Sequence, residues 1–161
     1  MIGFLRSLFG GGTPALSNAS PRDAAAIATL HAASFRRGWS EQEVETLLAD
    51  STVVTHRVTI GGRFAGFIMS RRAADEAEIL SVAVTRRCQG RGIARQLLML
   101  HLGRLAALAT RTVFLEVDEN NRPALRLYER AGFREVARRP NYYPTASGKP
   151  AAALVLRRDL G

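Results

Sequence analysis

The stretch Leu80-Ser81-Val82-Ala83-Val84-Thr85-Arg86-Arg87-Cys88-Gln89-Gly90-Arg91-Gly92-Ile93-Ala94-Arg95 decides how this chain folds. Its first residues are apolar and rich in valine, which reads as a strand, and the apolar spacing that resumes at Ile93 reads as a helix. Gly90 and Gly92 lie between them and let the backbone come close to a ligand. A helix that begins there offers free N–H groups and the positive end of its dipole, so strand, loop and helix together form a cradle for phosphate. The glycine spacing matches neither the dinucleotide fingerprint nor the Walker motif, which ends in Gly-Lys-Ser/Thr.

The strand over 79–84 is mostly apolar, which suits the centre of a sheet. Before it, 52–60 alternates Val54, His56, Val58 and Ile60 with Val53, Thr55, Arg57 and Thr59, and Gly61-Gly62 turns this run into a hairpin with 64–70. His56 is expected to be a packed residue of that sheet. Ser20-Pro21 sets a capping serine before a proline and opens a helix whose run over 24–35 keeps Ile27, Leu30 and His31 near one face. Ser40-Glu41-Gln42-Glu43 is a capping box for a short helix with Val44, Leu47 and Leu48. Downstream, 93–109 carries Leu98, Leu102 and Leu105 at i, i+4 and i+7, a long amphipathic helix. A strand over 113–117 follows, then a helix started by Asn121-Arg122-Pro123 and ended by Ala131-Gly132. Two last strands, 133–139 and 152–157, flank a loop with Pro140, Pro144, Gly148 and Pro150. This order predicts one mixed α/β domain over 13–161. Residues 1–12 are expected to be a loose N-terminal appendage, or else a short helix resting on a partner or on the protein's own surface.

A chain of 161 residues, 47% hydrophobic and 23% charged, has the balance of a globular domain. It is large enough to build a core without a metal or a disulfide. Cys88 is the one cysteine, which excludes an intrachain disulfide and a cysteine-rich zinc site and points to a reducing, cytoplasmic setting. The apolar run Ile2-Gly3-Phe4-Leu5 is broken by Arg6, too short for a membrane span and unlike a signal peptide. The 23 basic and 14 acidic residues give a net charge of +9, and every basic residue except Lys149 is arginine. No acid lies between Glu78 and Glu116, whereas Arg86, Arg87, Arg91, Arg95, Arg104 and Arg111 do. A patch this one-sided suits a polyanion, either nucleic acid or the phosphates of a cofactor. A genome bias toward Arg, Ala and Gly accounts for the overall excess equally well.

The pattern Gln89-x-x-Gly92-x-Ala94 resembles the acetyl-CoA pyrophosphate motif, Gln/Arg-x-x-Gly-x-Gly/Ala, of the GNAT acetyltransferase superfamily. Leu115-Glu116-Val117, Asn121 and Ala124-Leu125-x-Leu127-Tyr128-Glu129-x-Ala131-Gly132-Phe133 resemble the second half of that fold in order and spacing. Within the superfamily, Gly38-Trp39-Ser40 and Arg138-Arg139-x-Asn141-Tyr142-Tyr143-Pro144-Thr145-Ala146 are most similar to the bacterial ribosomal-protein-alanine N-acetyltransferases. The resemblance covers residues 20–160. It implies a GNAT acyl-CoA N-acyltransferase fold, acetyl-CoA as cosubstrate, no metal, and acetyl transfer to the N-terminal α-amine of a protein, with a ribosomal protein as the first candidate. It also implies that the backbone of Val82, Ala83 and Val84 meets the pantetheine and thioester region. Gly90, Arg91, Gly92, Ile93, Ala94 and Arg95 would hold the pyrophosphate, and Asn121 would add a cofactor contact. Glu116 takes the general-base position and Tyr128 the general-acid position, while Trp39, Tyr142 and Tyr143 border the acceptor.

Chemistry agrees with these roles. An acceptor ammonium must lose a proton before it attacks a thioester, and the departing thiolate gains from a proton donor. Plainer accounts stand beside them: Tyr128 as core packing, Glu116 as a solvated strand residue facing away from Leu115 and Val117, Trp39 as a core aromatic. Cys88 adjoins the loop, yet direct attack in a ternary complex needs no covalent intermediate. Two departures bear on the acceptor. Pro140 is one residue more than the family's Arg-Arg-Asn-Tyr-Tyr run has, and Lys149-Pro150-Ala151-Ala152 replaces an acidic pair that commonly follows the glycine. Two rivals remain: a GNAT enzyme acting on a small amine, and an arginine-rich RNA-binding module without catalysis.

Overall fold

The structure, a computed structural model, describes residues 12–146 and 148–161. All but Gly12 of the expected appendage therefore lies outside the described residues. Two compact units can be distinguished, one formed by the chain up to Met69 with Ser81–Leu97, the other by Ser70–Leu80 with Leu98–Gly161.

The first unit holds β1 (Pro14–Asn18), a 3-10 turn (Pro21–Asp23), α1 (Ala24–Ser34), α2 (Glu41–Ala49) and β2 (Val53–Ile60). It also holds most of β3 (Arg63–Ala73), the end of β4 (Glu76–Val84) and the start of α3 (Ile93–Ala107). Its strand order is β1-β2-β3-β4. β2 and β3 are joined by Gly61 and Gly62 at φ +58° and +75°, the left-handed pair that a two-residue hairpin turn requires. Asp23 ties the start of α1 down: its carboxylate accepts the Ser20 N–H at 2.8 Å and the Arg57 guanidinium of β2 at 2.7 Å. The capping box opens α2, with the Ser40 hydroxyl accepting the Glu43 N–H and the Glu43 carboxylate accepting the Ser40 N–H. Ile27, Val44, Val58, Phe67, Ile68, Met69, Ile93 and Leu97 are the large buried residues.

The second unit holds the β3–β4 turn, the rest of α3, β5 (Thr112–Asp118), α4 (Arg122–Arg130), β6 (Arg134–Tyr143) and β7 (Ala151–Asp159). Its strand order is β3-β4-β5-β7-β6. β4 and β5 run parallel from Glu76↔Thr112 to Ile79↔Leu115, and β5 lies antiparallel to β7 along its whole length. Leu98, Leu102 and Leu105 of α3 and Val113, Leu115 and Val117 of β5 are buried, in the period of 3.6 and of 2 that the sequence shows. Ser70 and His101, both fully buried, satisfy each other at 2.6 Å.

The elements differ from expectation at five places. β1 was not expected: its Ala15, Ser17 and Asn18 are exposed, so no apolar alternation marks it, and pairing with β2 from Pro14↔Ile60 to Asn18↔His56 creates it. Ser20-Pro21 opens the 3-10 turn rather than α1 itself, which starts at Ala24. β4 starts at Glu76 and α3 stops at Ala107, because Ala109 adopts φ +65°. Tyr142 and Tyr143 belong to β6 and not to a loop. Between the partners Arg139↔Ala153 and Tyr143↔Ala151, β6 carries two residues more than β7, a bulge that houses Pro140 and Asn141, the latter at φ +58°. A proline has no N–H for a ladder, so a bulge in a terminal strand is where a sheet tolerates it. His56 is buried in β2, as expected.

Ser40→Ala removes one capping acceptor and is expected to lower stability in urea titration by about 1 kcal/mol. Leu98→Ala, which empties a buried site, is expected to cost about 2–5 kcal/mol in the same measurement.

Candidate functional site

The first unit carries the candidate anion cradle. β4 ends with Val82, Ala83 and Val84; Thr85 follows, with its N–H donating to the Ala65 carbonyl, and a 3-10 turn over Arg86–Cys88 leads into the loop. The Gln89 side-chain amide donates to the Val84 carbonyl at 3.1 Å and pins the loop to the strand end. Gly90 and Gly92 adopt φ +76° and +75°, and a Cβ on either would meet no heavy atom within 4 Å, so the loop is open on that side. The Gly92 carbonyl accepts the Gln96 N–H at 3.1 Å, which makes Gly92 the cap and leaves the N–H groups of Ile93, Ala94 and Arg95 without helical partners. Arg86, Arg87, Arg91 and Arg95 are all exposed, and one Arg91 nitrogen lies 3.5 Å from the Gly12 carbonyl. Open glycines, free amides and guanidinium groups are the donor set that a pyrophosphate needs. The buried hydroxyl of Ser81, one residue before Val82, has no hydrogen-bond partner among the described residues. Trp39, half-buried in the α1–α2 connection, belongs to the same unit.

The second unit carries an acid and three tyrosines. Glu116 on β5 alternates with the buried Leu115 and Val117, and its carboxylate lies 3.3 Å from a guanidinium nitrogen of Arg139. Strand register explains that contact. Glu116 is level with Val155 of β7, which is level with Ala137 of β6, so Arg139 sits two residues along the next strand but one. The same guanidinium stands 5.5 Å over the Tyr142 ring, and Tyr142 meets Tyr143 edge to face at 5.0 Å. Burial pushes the Tyr143 phenol up, with the charge of Glu116 adding to it. A cleft of about 350 Å³ runs beside Glu116, lined among others by Arg71, Glu76, Glu78, Phe114 and Arg139.

Tyr128 of α4 is buried and packs edge to face on Phe133, 5.7 Å between centroids. Desolvation pushes its phenol up to about 12, so it keeps its proton throughout the neutral range. Asn121 uses its side-chain oxygen to cap α4, accepting the Ala124 N–H at 3.3 Å.

Residues 24–133 match the acetyltransferase (GNAT) family. The chain belongs to the GNAT acetyltransferase family. Both units lie partly within that match, which supplies the fold expected from Gln89-x-x-Gly92-x-Ala94. Among curated GNAT relatives, [ribosomal protein bS18]-alanine N-acetyltransferase of Salmonella typhimurium is 37% identical over 99 residues, 62% of this chain and 67% of that protein. The Escherichia coli protein of the same name is 32% identical over 117 residues, 73% of this chain and 78% of that one. The crystal structure of the ribosomal-protein-S18-alanine N-acetyltransferase from Escherichia coli superimposes with a TM-score of 0.85 at 28% identity, covering 92% of this chain and 95% of that one. The protein is thus an N-acetyltransferase of mixed α/β GNAT fold. Among the described residues, no helix is long and apolar enough to cross a membrane.

Sequence reasoning did not single out Arg139 as a partner of Glu116, nor Ser81. No one-dimensional signal joins residues 116 and 139, because their approach depends on β7 being inserted between β5 and β6. Gly92→Val forces a β-branched residue into φ +75° and places methyl groups in the open side of the loop. Acetyl-CoA is expected to raise the melting temperature of the wild-type protein in proportion to the logarithm of its concentration above the dissociation constant, and to leave that of Gly92→Val unchanged.

Proposed function

We propose that the protein transfers the acetyl group of acetyl-CoA to the N-terminal α-amine of a protein in the cytoplasm, with a ribosomal protein that begins with alanine as the first candidate. The observation that carries this is the Glu116 carboxylate, set beside Arg139 and near Tyr142 and Tyr143 along an open cleft, in a chain whose similar relatives bear a ribosomal-protein-alanine N-acetyltransferase name.

The thioester of the bound cosubstrate supplies the acetyl group. Val82, Ala83 and Val84 offer strand backbone to the pantetheine arm. Gly90, Arg91, Gly92, Ile93, Ala94 and Arg95 bind the pyrophosphate through amides and guanidinium groups, and Asn121 adds its amide. Glu116 takes the proton of the acceptor ammonium, directly or through a water, and Arg139 fixes the direction of that carboxylate. Tyr128 holds its proton for the departing sulfur. Its phenol near 12 lies about 3.5 pKa units above a typical thiol, so full transfer would be uphill by roughly 5 kcal/mol. A hydrogen bond to the developing thiolate is therefore its larger contribution.

The acceptor class follows from basicity. An α-amine has a pKa near 8 and a lysine side chain near 10.4, so at neutral pH the free-base fractions differ by about two powers of ten. A site whose assigned base is a single carboxylate, Glu116, suits the α-amine. Tyr142 and Tyr143 offer flat, partly polar surfaces for a peptide backbone, and Trp39 is a further acceptor-binding residue. Lys149-Pro150 in place of an acidic pair weakens any preference for a basic second residue. The net charge of +9 slows the approach of polyamines, which disfavours the small-amine rival.

Mass spectrometry of N-termini in host cells with and without the protein tests the acceptor directly. In vitro, peptides that begin with alanine are expected to be acetylated and to lose activity when the N-terminus is blocked, even if a lysine is present. Spermidine or free lysine acetylated as fast as the best peptide overturns the assignment, and steep salt-dependent RNA binding without turnover would favour the RNA-binding module. Tyr128→Phe keeps the packing on Phe133 and is expected to lower kcat by roughly a hundredfold with little change in melting temperature. Glu116→Gln is expected to lose most activity below pH 8, where the acceptor is protonated, and to recover in part at higher pH.

A further inference from the structure

The connection from α1 to α2 is fastened at one side chain. His31 is buried in the last turns of α1, and its Nδ1 accepts the backbone N–H of Trp39 at 3.0 Å. The indole of Trp39 lies flat on the same imidazole, 3.8 Å between centroids and 8° between planes, and Phe35 stacks on it at 4.5 Å. Gly38 makes this return of the chain feasible, since a Cβ there would lie 2.7 Å from both Cα and Cβ of Ala32. An Nδ1 that accepts a hydrogen bond carries no proton, so the ring is the neutral Nε2–H tautomer.

We propose that His31 is a positioning residue: its neutral imidazole latches Trp39 against α1, and protonation of the ring releases Trp39 and weakens acceptor binding. The consequence for the acceptor rests on the assignment of Trp39 to the acceptor side; the latch itself does not.

The charged groups on the elements beside the ring bear on its titration. α2, packed against α1, brings Glu41, Glu43 and Glu45; the connection brings Arg36 and Arg37, and the turn before α1 brings Asp23, which is held by Arg57. Burial pushes the His31 imidazole below its ordinary 6.5, and Glu43, itself paired with Arg37, opposes this more weakly. The neutral form is therefore favoured in the folded state. Above 6.5 the ring is neutral whether the chain is folded or not, and as pH falls below 6.5 the unfolded chain takes the proton first, so this site subtracts stability down to the folded value. Protonation of the folded protein removes the acceptor for the Trp39 N–H and sets a cation in a buried stack.

Trp39 is the one tryptophan in the chain, so intrinsic emission of the full-length protein reports the latch without labels. On titration from pH 8 to pH 5, wild-type emission is expected to weaken and move to longer wavelength with a midpoint below 6.5. His31→Asn supplies an oxygen acceptor near the place of Nδ1 and cannot titrate; its emission is expected to stay flat, with far-UV circular dichroism verifying the fold. His31→Phe keeps the stack and loses the acceptor, and is expected to raise the peptide KM several-fold at pH 8 with kcat and the KM for acetyl-CoA little changed. Acidification from pH 8 to pH 5 raises the peptide KM of every variant because the acceptor amine takes a proton, and an additional rise is expected in the wild type over His31→Asn. Flat wild-type emission, an identical emission titration in His31→Asn, or equal KM rises in both overturn the proposal. The emission arm needs no acceptor, so a protein that acetylates no peptide yet shows the titration would count against the proposed acceptor and leave the latch standing.

Discussion

Two left-handed glycines hold the N-terminus of α3 where an anion can reach it. Gly90 and Gly92 take φ near +75°, a region closed to most side chains, and they do so within three residues of the buried Ile93. Because Ile93 and Leu97 are packed and Gln89 is tied back to Val84, the first amides of the helix cannot drift toward solvent without disturbing buried apolar surface. The first N–H groups of the helix are thus held in place by packed apolar side chains and by the Gln89 hydrogen bond.

The carboxylate in the second unit is placed by a different constraint. β5 alternates strictly, so burying Val113, Leu115 and Val117 puts Glu116 on the opposite face. Its surroundings then depend on strand order. With β7 between β5 and β6, the long side chain of Arg139 is the group that spans from β6 to Glu116, and the bulge at Pro140 and Asn141 sets Tyr142 close to that guanidinium. One cation thereby links the acid to the aromatic pair. Tyr128 stands apart in character, since burial alone raises its phenol, to about 12.

Much of this was legible beforehand because it is local. The capping box at Ser40, the glycine hairpin at Gly61-Gly62, the apolar period of α3 and the alternation of β5 each rest on residues within a few positions of one another. The family resemblance was legible for the same reason, since Gln89-x-x-Gly92-x-Ala94 occupies six consecutive residues. β1 is not legible in the sequence because only pairing with β2 makes five half-polar residues a strand, and β6 reads as ending at 139 because Pro140 signals a break that in the sheet a bulge absorbs.

By itself, then, the sequence determined the mixed α/β class, the cradle and the face on which Glu116 lies, all consequences of helix and strand periodicity and of glycine's access to positive φ. Tertiary structure alone decided that Arg139 meets Glu116, that the Ser81 hydroxyl has no partner among the described residues, and that His31 and Trp39 close on each other across eight residues. Those contacts depend on strand order, on desolvation and on a 2.7 Å approach at Gly38, quantities set by the packed chain rather than by any spacing along it.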